Sequence, residues 1–272
     1  MEFGSGRGQL TYWLTKAVPD ASTCQFLLVD KASHRHKFDN RLKDVEELEL
    51  VRLRVDIADL ALGRVEPHLT AQRESVVGVS KHLCGAATDL SLRCLTSTLG
   101  EAGSELAGLL IALCCHHRCD WTDYVGKSFL TEQGFDEADF QLLSSISSWC
   151  TCGSGRPKAK RGEEEHSPLE PSPPPEELEP PVLPRNNGID NRDRCVFYND
   201  FPFILLCRYL RLQLDQATRE EIGRQAKRVI DWGRLRYLEE VTDLEVKLKY
   251  YCDPFISLEN ALLVCSRPLA TG

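Results

Sequence analysis

The chain has 272 residues, 12 cysteines and a formal net charge of −8, a negative balance that does not favour nucleic-acid binding by the protein as a whole. Its longest apolar run, residues 106–115, is ten residues long, whereas a membrane span requires about 20, and no signal-peptide pattern opens the chain. We therefore expect an intracellular protein of the cytoplasm or nucleus, with reduced thiols and no membrane segment.

The first element is a glycine-rich turn, Glu2-Phe-Gly-Ser-Gly-Arg-Gly8. Glycines at alternate positions let the backbone turn tightly and approach a ligand, as after the first strand of a doubly wound sheet. The G-x-G-x-G spacing resembles the first motif of S-adenosylmethionine-dependent methyltransferases, whereas dinucleotide sites have G-x-G-x-x-G. A glycine-rich surface turn is the alternative interpretation. Only Met1 and Glu2 precede Phe3, so we expect the first strand to be largely missing.

Short apolar runs alternate with helical patterns along the rest of the chain. A helix is predicted over 9–17, and strands are predicted over 26–29, 50–55, 76–79, 109–113, 246–251 and 261–265. This alternation predicts an α/β doubly wound, mostly parallel sheet. The short link between the last two strands predicts a C-terminal antiparallel hairpin.

Residues 153–193 differ in composition, being rich in proline and glutamate. Such a segment cannot bury enough apolar surface to fold, so we predict a disordered insertion. Strand and helix patterns resume after it, and we therefore divide one domain into a first part, 1–152, and a C-terminal part, 194–272.

A capping box, Thr218-Arg-Glu-Glu221, predicts a helix that starts there and ends near Trp232. Eight basic residues stand against four acidic ones over 208–236. This basic face could contact RNA phosphates, and a solvated helix surface is the other interpretation. The basic residues considered are Arg224, Lys227, Arg228, Arg234 and Arg236.

Two aspartates end predicted strands where a nucleoside would bind. Asp30 lies 22 residues after Gly8 and could accept hydrogen bonds from two ribose hydroxyls, or be a solvated strand end. Asp56 could accept from an adenine amine, or cap the helix after Ile57.

Polar residues also follow the predicted strands 76–79 and 109–113. Lys81 and His82 follow one, and His116 and His117 follow the other, so both groups are expected at one crevice. Lys81 could stabilise an alkoxide and His82 or His117 could accept a proton. Histidines that serve only the structure are the alternative.

The cysteines and histidines of 114–119, with Cys150 and Cys152, could instead hold zinc. Adjacent side chains on a strand point to opposite faces, so Cys114 and Cys115 would diverge if both lie on one. We therefore expect no metal site.

Four motifs together resemble the eukaryotic tRNA 2′-O-methyltransferase family that modifies the fourth nucleotide of the acceptor stem; they span 81–89, 112–126, 147–149 and 250–260. The resemblance implies a Rossmann-like class I methyltransferase domain, S-adenosyl-L-methionine as donor and tRNA as partner. It implies that the acceptor side is lined by Lys81, His82, His116 and His117. It implies that the cofactor is lined by Glu2, Gly4, Gly6, Gly8, Asp30 and Asp56.

The sequence also departs from that family. Its members carry N-terminal zinc-binding modules that are absent here, and residues 195–212 do not fit the family pattern. We therefore expect an N-terminally truncated chain. A methyltransferase acting on protein or a small molecule, and a non-catalytic truncated product, are the alternative functions.

Overall fold

The computed structural model describes residues 1–34, 38–42, 48–62, 75–98, 105–151, 176–181, 214–253 and 256–268. An eight-stranded sheet organises them, with the strand order β3-β2-β1-β4-β5-β8-β7-β6. The strands are β1 (Glu2–Phe3), β2 (Gln25–Asp30), β3 (Glu49–Arg54), β4 (Ser75–Cys84), β5 (Glu105–Cys114), β6 (Glu176–Glu177), β7 (Glu245–Tyr250) and β8 (Ala261–Ser266).

The sheet is mixed, as predicted. Strands β1 to β5 are parallel, whereas β8 is antiparallel to β5 and β7 is antiparallel to β8. The strand order reverses between β1 and β4, which is where α/β sheets bind ligands outside the carboxyl ends of their strands. The architecture confirms the predicted Rossmann-like α/β class and the C-terminal antiparallel hairpin.

Strand β1 has only two residues, yet it lies in the middle of the sheet. Phe3 pairs with Val29 of β2 and is completely buried. The Met1 backbone extends the contact with β4, because its carbonyl accepts a 2.8 Å hydrogen bond from the Val79 amide. These short contacts connect β2 to β4 through the middle of the sheet.

Strand β4 is longer than predicted. It continues past residue 79 to Cys84, and its register against β5 shifts between Lys81 and Leu83. Such a shift is a β-bulge, which bends a strand and redirects its side chains. The prediction that Lys81 and His82 follow the strand is therefore wrong, since both lie within it.

The helices are α1 (Gln9–Ala17), α2 (Ala86–Thr98), α3 (Lys127–Glu132), α4 (Glu137–Ser147) and α5 (Gln216–Val241). The predicted capping box at Thr218 is wrong in position. Asp215 caps α5, its carboxylate accepting a 2.7 Å hydrogen bond from the Thr218 amide. The buried residues Ala226, Val229 and Ile230 form the apolar face of α5. None of the helices in the described ranges combines the length and apolar character of a membrane span.

Residues 176–181 are the described part of the predicted insertion. Glu176–Glu177 forms β6 against β7, and the Leu178 amide donates a 2.8 Å hydrogen bond to the Leu248 carbonyl. The Leu178 side chain is buried in the main core. These six residues therefore belong to the edge of the sheet, and the remainder of 153–193 lies outside the described residues.

The main core lies between the sheet and its covering helices. It combines sheet residues such as Val29, Leu109 and Ile111 with Leu95 of α2 and Leu238 of α5, all buried. This packing holds the carboxyl ends of β1, β2, β4 and β5 at one edge. The residues that follow those ends form the candidate site.

Candidate functional site

The glycine loop connects β1 to α1 through a left-handed backbone. Gly4, Gly6 and Gly8 have φ of +62°, +48° and +80°, a region that L side chains rarely adopt. The Ser5 amide donates to the Val29 carbonyl at 3.1 Å, and the Gly8 amide donates to the Ser5 carbonyl at 2.8 Å. The sequence folds this way because glycine occupies each position with positive φ.

Glu2 lies beneath this loop. Its buried carboxylate accepts hydrogen bonds from the Thr11 amide at 3.0 Å and from the Thr11 hydroxyl. Burial raises the pKa of the Glu2 carboxyl, although the hydrogen bonds from Thr11 oppose that shift. Glu2 thus joins β1 to the first turn of α1, and its role in lining the cofactor stays a prediction.

Asp30 lies at the carboxyl end of β2 and touches the loop directly. Its Oδ2 accepts a 2.8 Å hydrogen bond from the Gly6 amide, and its Oδ1 accepts one of 2.8 Å from the Ala32 amide. The Asp56 carboxylate caps the short helical turn Ile57–Asp59 by accepting from Ala58 at 3.2 Å. The capping interpretation of Asp56 is therefore present in the structure, and its contact with adenine stays a prediction.

An ion pair that the sequence did not indicate contacts the glycine loop and supports it. Arg52 of β3 pairs with Asp39, and its Nη1 donates to the Gly6 carbonyl at 3.1 Å and to the Ser5 hydroxyl at 3.2 Å. A Cβ at Gly8 would lie 2.6 Å from both Arg52 Nη2 and Asp39 Oδ1. A side chain at Gly8 would therefore displace the Arg52–Asp39 pair, in addition to adopting an uncommon backbone conformation. The only feature of the sequence that points to this ion pair is the alternation of apolar and basic residues in β3.

The bulged end of β4 lies next to the glycine loop. A Cβ at Gly4 would lie 3.1 Å from a methyl of Leu83. Lys81 and His82, which precede Leu83, have exposed side chains. His82 has φ of +64°, an uncommon value for a residue with a side chain. The structure thus brings Lys81 and His82 to the edge where the cofactor is expected.

The segment after β5 packs against the segment after β4. A Cβ at Gly85, which has φ of +60°, would lie 2.3 Å from the Arg118 carbonyl oxygen. This close approach places the turn His116–Arg118 beside the end of β4. The segments that carry the two predicted groups of polar residues therefore adjoin at Gly85 and Arg118, and the convergence of the four side chains on one acceptor stays a prediction.

The two histidines of that turn differ in environment. His116 is buried, and its Nε2 lies 2.7 Å from Asp231 Oδ1 of α5, while its Nδ1 has no partner among the described residues. His117 is exposed. Desolvation lowers the pKa of His117, whereas the charge of Glu259 opposes this. Of these two predicted acceptor-side histidines, only His117 can meet a solvent-borne substrate in this arrangement.

A buried charge network holds His116 in place. The completely buried Arg234 donates from Nη2 to Asp89 Oδ2 at 2.7 Å and from Nη1 to Asp231 Oδ1 at 3.0 Å. Its Nη2 also donates to Cys119 Sγ at 3.0 Å. The suggestion that Arg234 contacts RNA phosphates is wrong, because its guanidinium is enclosed and paired.

A small cavity of about 50 Å³ lies beside His116, between α5 and the ends of β7 and β8. Lys227 lines it and donates to Glu259 Oε2 at 2.7 Å. Arg228 also lines it, lies 3.4 Å from the Tyr250 hydroxyl and forms no salt bridge within the described ranges. Of the predicted acceptor-side residues His116 lines this cavity, and none of the predicted cofactor residues does.

The cysteines group differently from the sequence-based suggestion. Cys119 accepts from Arg234, Cys150 donates to the Ser147 carbonyl at 3.2 Å, and Cys152 lies outside the described residues. The sulfurs of Cys84, Cys114 and Cys115 instead lie within 4.8 Å of one another. The argument that adjacent cysteines diverge does not hold here, because Cys115 follows the strand with φ of +49°.

Comparisons with known proteins add a family relationship to this geometry. The sequence matches the family model described as "Methyltransferase TRM13" over residues 1–178 and 208–266. It is 34% identical to the mouse "tRNA:m(4)X modification enzyme TRM13 homolog", over 97% of this chain and 58% of that protein. It is 32% identical to the human homolog, with the same coverage, and 28% identical to the Saccharomyces cerevisiae "tRNA:m(4)X modification enzyme TRM13", over 97% of this chain and 57% of that protein. The chain thus spans a little over half the length of these relatives, and no solved structure matches it.

Proposed function

Since the chain belongs to the Methyltransferase TRM13 family, we propose that it is an S-adenosylmethionine-dependent methyltransferase that methylates the ribose 2′-hydroxyl of nucleotide 4 in the tRNA acceptor stem. One observation carries the proposal: the glycine loop and Asp30 lie beside the bulged end of β4, which presents Lys81 and His82 to solvent. The proposed donor site therefore adjoins a set of groups that are suited to a hydroxyl acceptor.

The residues at the loop fit a methionine-linked nucleoside. No heavy atom lies within 4 Å of the position that a Cβ at Gly6 would take, so a ligand could approach the backbone there. Each oxygen of Asp30 accepts one backbone hydrogen bond. A carboxylate oxygen has a second lone pair, so Asp30 could still accept from the two hydroxyls of a ribose. Bound S-adenosylmethionine would supply a methyl group already activated by its sulfonium.

The acceptor side must make a ribose hydroxyl nucleophilic. The exposed ammonium of Lys81 could stabilise the developing alkoxide through its charge. A neutral imidazole could accept the hydroxyl proton, and both His82 and His117 are exposed. The lowered pKa of His117 keeps its ring neutral to lower pH. His116 is enclosed and paired with Asp231, so we assign it a positioning role.

The tRNA backbone requires cations on the same side. Arg228 at the cavity beside His116 is suited to a phosphate, because in the described structure its charge is not used in a salt bridge. Lys227 is already neutralised by Glu259. The exposed Arg224 pairs with Glu221 at 2.8 Å and would have to exchange that partner. Arg228 is therefore the strongest candidate for a phosphate contact.

The test uses an unmodified tRNA transcript, donor labelled at the methyl group, and this chain. Digestion to nucleosides should release the label as a 2′-O-methylated nucleoside that originates from nucleotide 4. Label on a base would overturn the ribose assignment, and label elsewhere along the tRNA would overturn the position.

A calorimetric titration of the chain with the donor accompanies that assay. Donor binding without transfer to tRNA would overturn the tRNA assignment and favour a protein or small-molecule acceptor. No donor binding would overturn the enzyme assignment and favour a non-catalytic product.

A further inference from the structure

Three cysteines meet where β4 and β5 end. Cys84 and Cys114 are the last residues of the two strands and pair directly in the parallel register. Their sulfurs lie 3.8 Å apart. Cys115 follows immediately, and its sulfur joins the other two within 4.8 Å. None of these thiols has a part in the methyl transfer described above.

Two irregularities of the backbone create this cluster. Within the described ranges, His82 and Cys115 are the residues other than glycine with positive φ. The bulge at His82 sets β4 back by one residue against β5, so that Leu83 pairs with Leu113 and Cys84 pairs with Cys114. Without it, Cys84 would pass the end of β5. The left-handed turn at Cys115 then brings its side chain back toward Cys114.

Both conformations have an energetic cost, and residues held in such regions concentrate at functional sites. Here each irregularity has the same geometric result, because each brings a sulfur to the same point. Two unfavourable backbone conformations thus contribute to the same cluster. This coincidence indicates that the three sulfurs share a ligand.

The spacing of the sulfurs fits a tetrahedral metal ion. Zinc binds thiolates at about 2.3 Å, so two sulfurs on one tetrahedral ion lie about 3.8 Å apart. The Cys84 and Cys114 sulfurs are 3.8 Å apart. The third sulfur, within 4.8 Å of both, needs only a small side-chain adjustment to reach the same distance.

We propose that Cys84, Cys114 and Cys115 together bind one Zn²⁺ ion as thiolates, with water at the fourth position. In the described part of the chain the cluster consists of these three residues, which leaves one tetrahedral corner without a protein ligand. This site replaces the sequence-based expectation that the chain has no metal centre.

The bond changes on binding are simple. Each thiol loses its proton to the buffer, and each sulfur donates an electron pair to the ion without any change of oxidation state. A sulfur must be deprotonated to coordinate the ion, so each protonated thiol gives up its proton when the ion binds. Proton release on binding follows.

The ion would fix the geometry of the acceptor edge. It would tie the end of β4 to the end of β5 and would hold the turn that leads into His116–Arg118. Zinc here supports the positions of His82 and His117 and takes no part in the methyl transfer. The site rests on the geometry of the cysteines, so its test is independent of any RNA substrate.

The experiment uses the whole chain, reduced and freed of metal with a chelator. Titration with Co²⁺ should produce thiolate-to-cobalt charge-transfer bands and the visible bands of a tetrahedral ion, saturating at one equivalent. Addition of Zn²⁺ should remove these bands by displacement. Replacing Cys84, Cys114 or Cys115 with Ser should weaken binding more than about 100-fold, since loss of a ligand costs more than loss of an outer partner.

Cys24→Ser is the matched control, because Cys24 is also half-buried but lies outside the cluster. It should bind one equivalent with unchanged affinity. Equal binding by the three cluster variants would overturn the proposal.

Thiol alkylation with mass spectrometry gives a second readout on the unsubstituted chain, which does not depend on whether a variant folds. Zn²⁺ should protect Cys84, Cys114 and Cys115 and leave Cys24 reactive. Protection at other cysteines, or the absence of any protection, would overturn the proposal.

Discussion

The amide of Gly6 donates a 2.8 Å hydrogen bond to Oδ2 of Asp30, so the second strand holds the glycine loop in place. From the sequence alone, the loop and the aspartate are predicted to be two separate contacts to a nucleoside. In the structure they form one unit, because the carboxylate accepts from the loop, and the proposed ribose contact would use the same carboxylate. A substitution at Asp30 should therefore affect the loop and the ligand together.

Asp30→Asn should weaken binding of S-adenosylmethionine. The amide keeps one oxygen that can accept from Gly6 but loses the charge and one of the two acceptors needed for ribose hydroxyls. Hydrogen bonds to charged groups contribute about 1.5–3 kcal/mol, so the dissociation constant should rise roughly 10- to 100-fold. Calorimetric titration with the donor measures it.

Asp20→Asn is the matched control, because Asp20 also accepts from the amide two residues ahead but lies in an exposed turn. Its donor affinity should equal that of the unsubstituted chain. Equal affinities for Asp30→Asn and Asp20→Asn would contradict the assignment of Asp30.

Gly8→Ala should destabilise the fold more than Gly6→Ala. Both glycines have positive φ, which costs an alanine about 1–2 kcal/mol. Only at Gly8 does the added Cβ also collide with the Arg52–Asp39 pair, whereas no atom lies within 4 Å at Gly6. The difference between the two variants in urea denaturation isolates the collision. Equal free energies of unfolding would show that the ion pair moves aside without cost.

The sequence predicted the order of strands and helices because buried parallel strands are short apolar runs, as in Phe26–Val29. It could not predict the bulge in β4. A bulge depends on how β4 pairs with β5, and the residues around His82 do not specify the register between the two strands. The same reason explains the cysteines: Cys115 joins Cys114 only because its backbone is left-handed.

Long-range ion pairs could not be predicted from the sequence for a different reason. Arg234 and Asp89 are 145 positions apart and meet only when α5 packs against the start of α2. Viewed along the chain, Arg234 is one of several basic residues on a helix. Burial separates it from the rest, and burial is a property of the folded structure.

Lys81→Ala should lower the rate of methyl transfer with little effect on donor binding. The exposed ammonium is proposed to act on the developing alkoxide, which exists only in the transition state. Loss of one such group typically lowers kcat by about 10²–10³-fold. Lys16→Ala provides the control, since Lys16 is exposed on α1, and it should retain full activity. Single-turnover assays with tRNA separate the two steps, and an unchanged rate for Lys81→Ala would remove Lys81 from the mechanism.

His117 should titrate below the ordinary histidine value of about 6.5. Desolvation lowers its pKa, and the nearby Glu259 carboxylate partly restores it. Glu259→Gln should therefore lower the pKa of His117 further, all the more because it frees the positive charge of Lys227. NMR titration of the His117 ring protons measures both values.

The sign of the effect on folding follows from the same shift. A depressed folded-state pKa means that the unfolded chain binds more protons between the two pKa values, so His117 lowers stability as the pH falls through 6.5. A higher pKa in Glu259→Gln than in the unsubstituted chain would contradict the assigned contact with Glu259.

Arg234→Met should be among the most destabilising single substitutions in the chain. The guanidinium is fully buried between Asp89 and Asp231, so its removal leaves two enclosed carboxylates without their cation. Breaking a buried pair in this way costs about 3–5 kcal/mol. Arg236→Met, two positions further along α5, removes an exposed pair with Glu239 and should cost less than about 1 kcal/mol. Thermal and urea unfolding compare the two variants, and a similar small loss for both would mean that Asp89 and Asp231 are solvated or protonated in the folded protein.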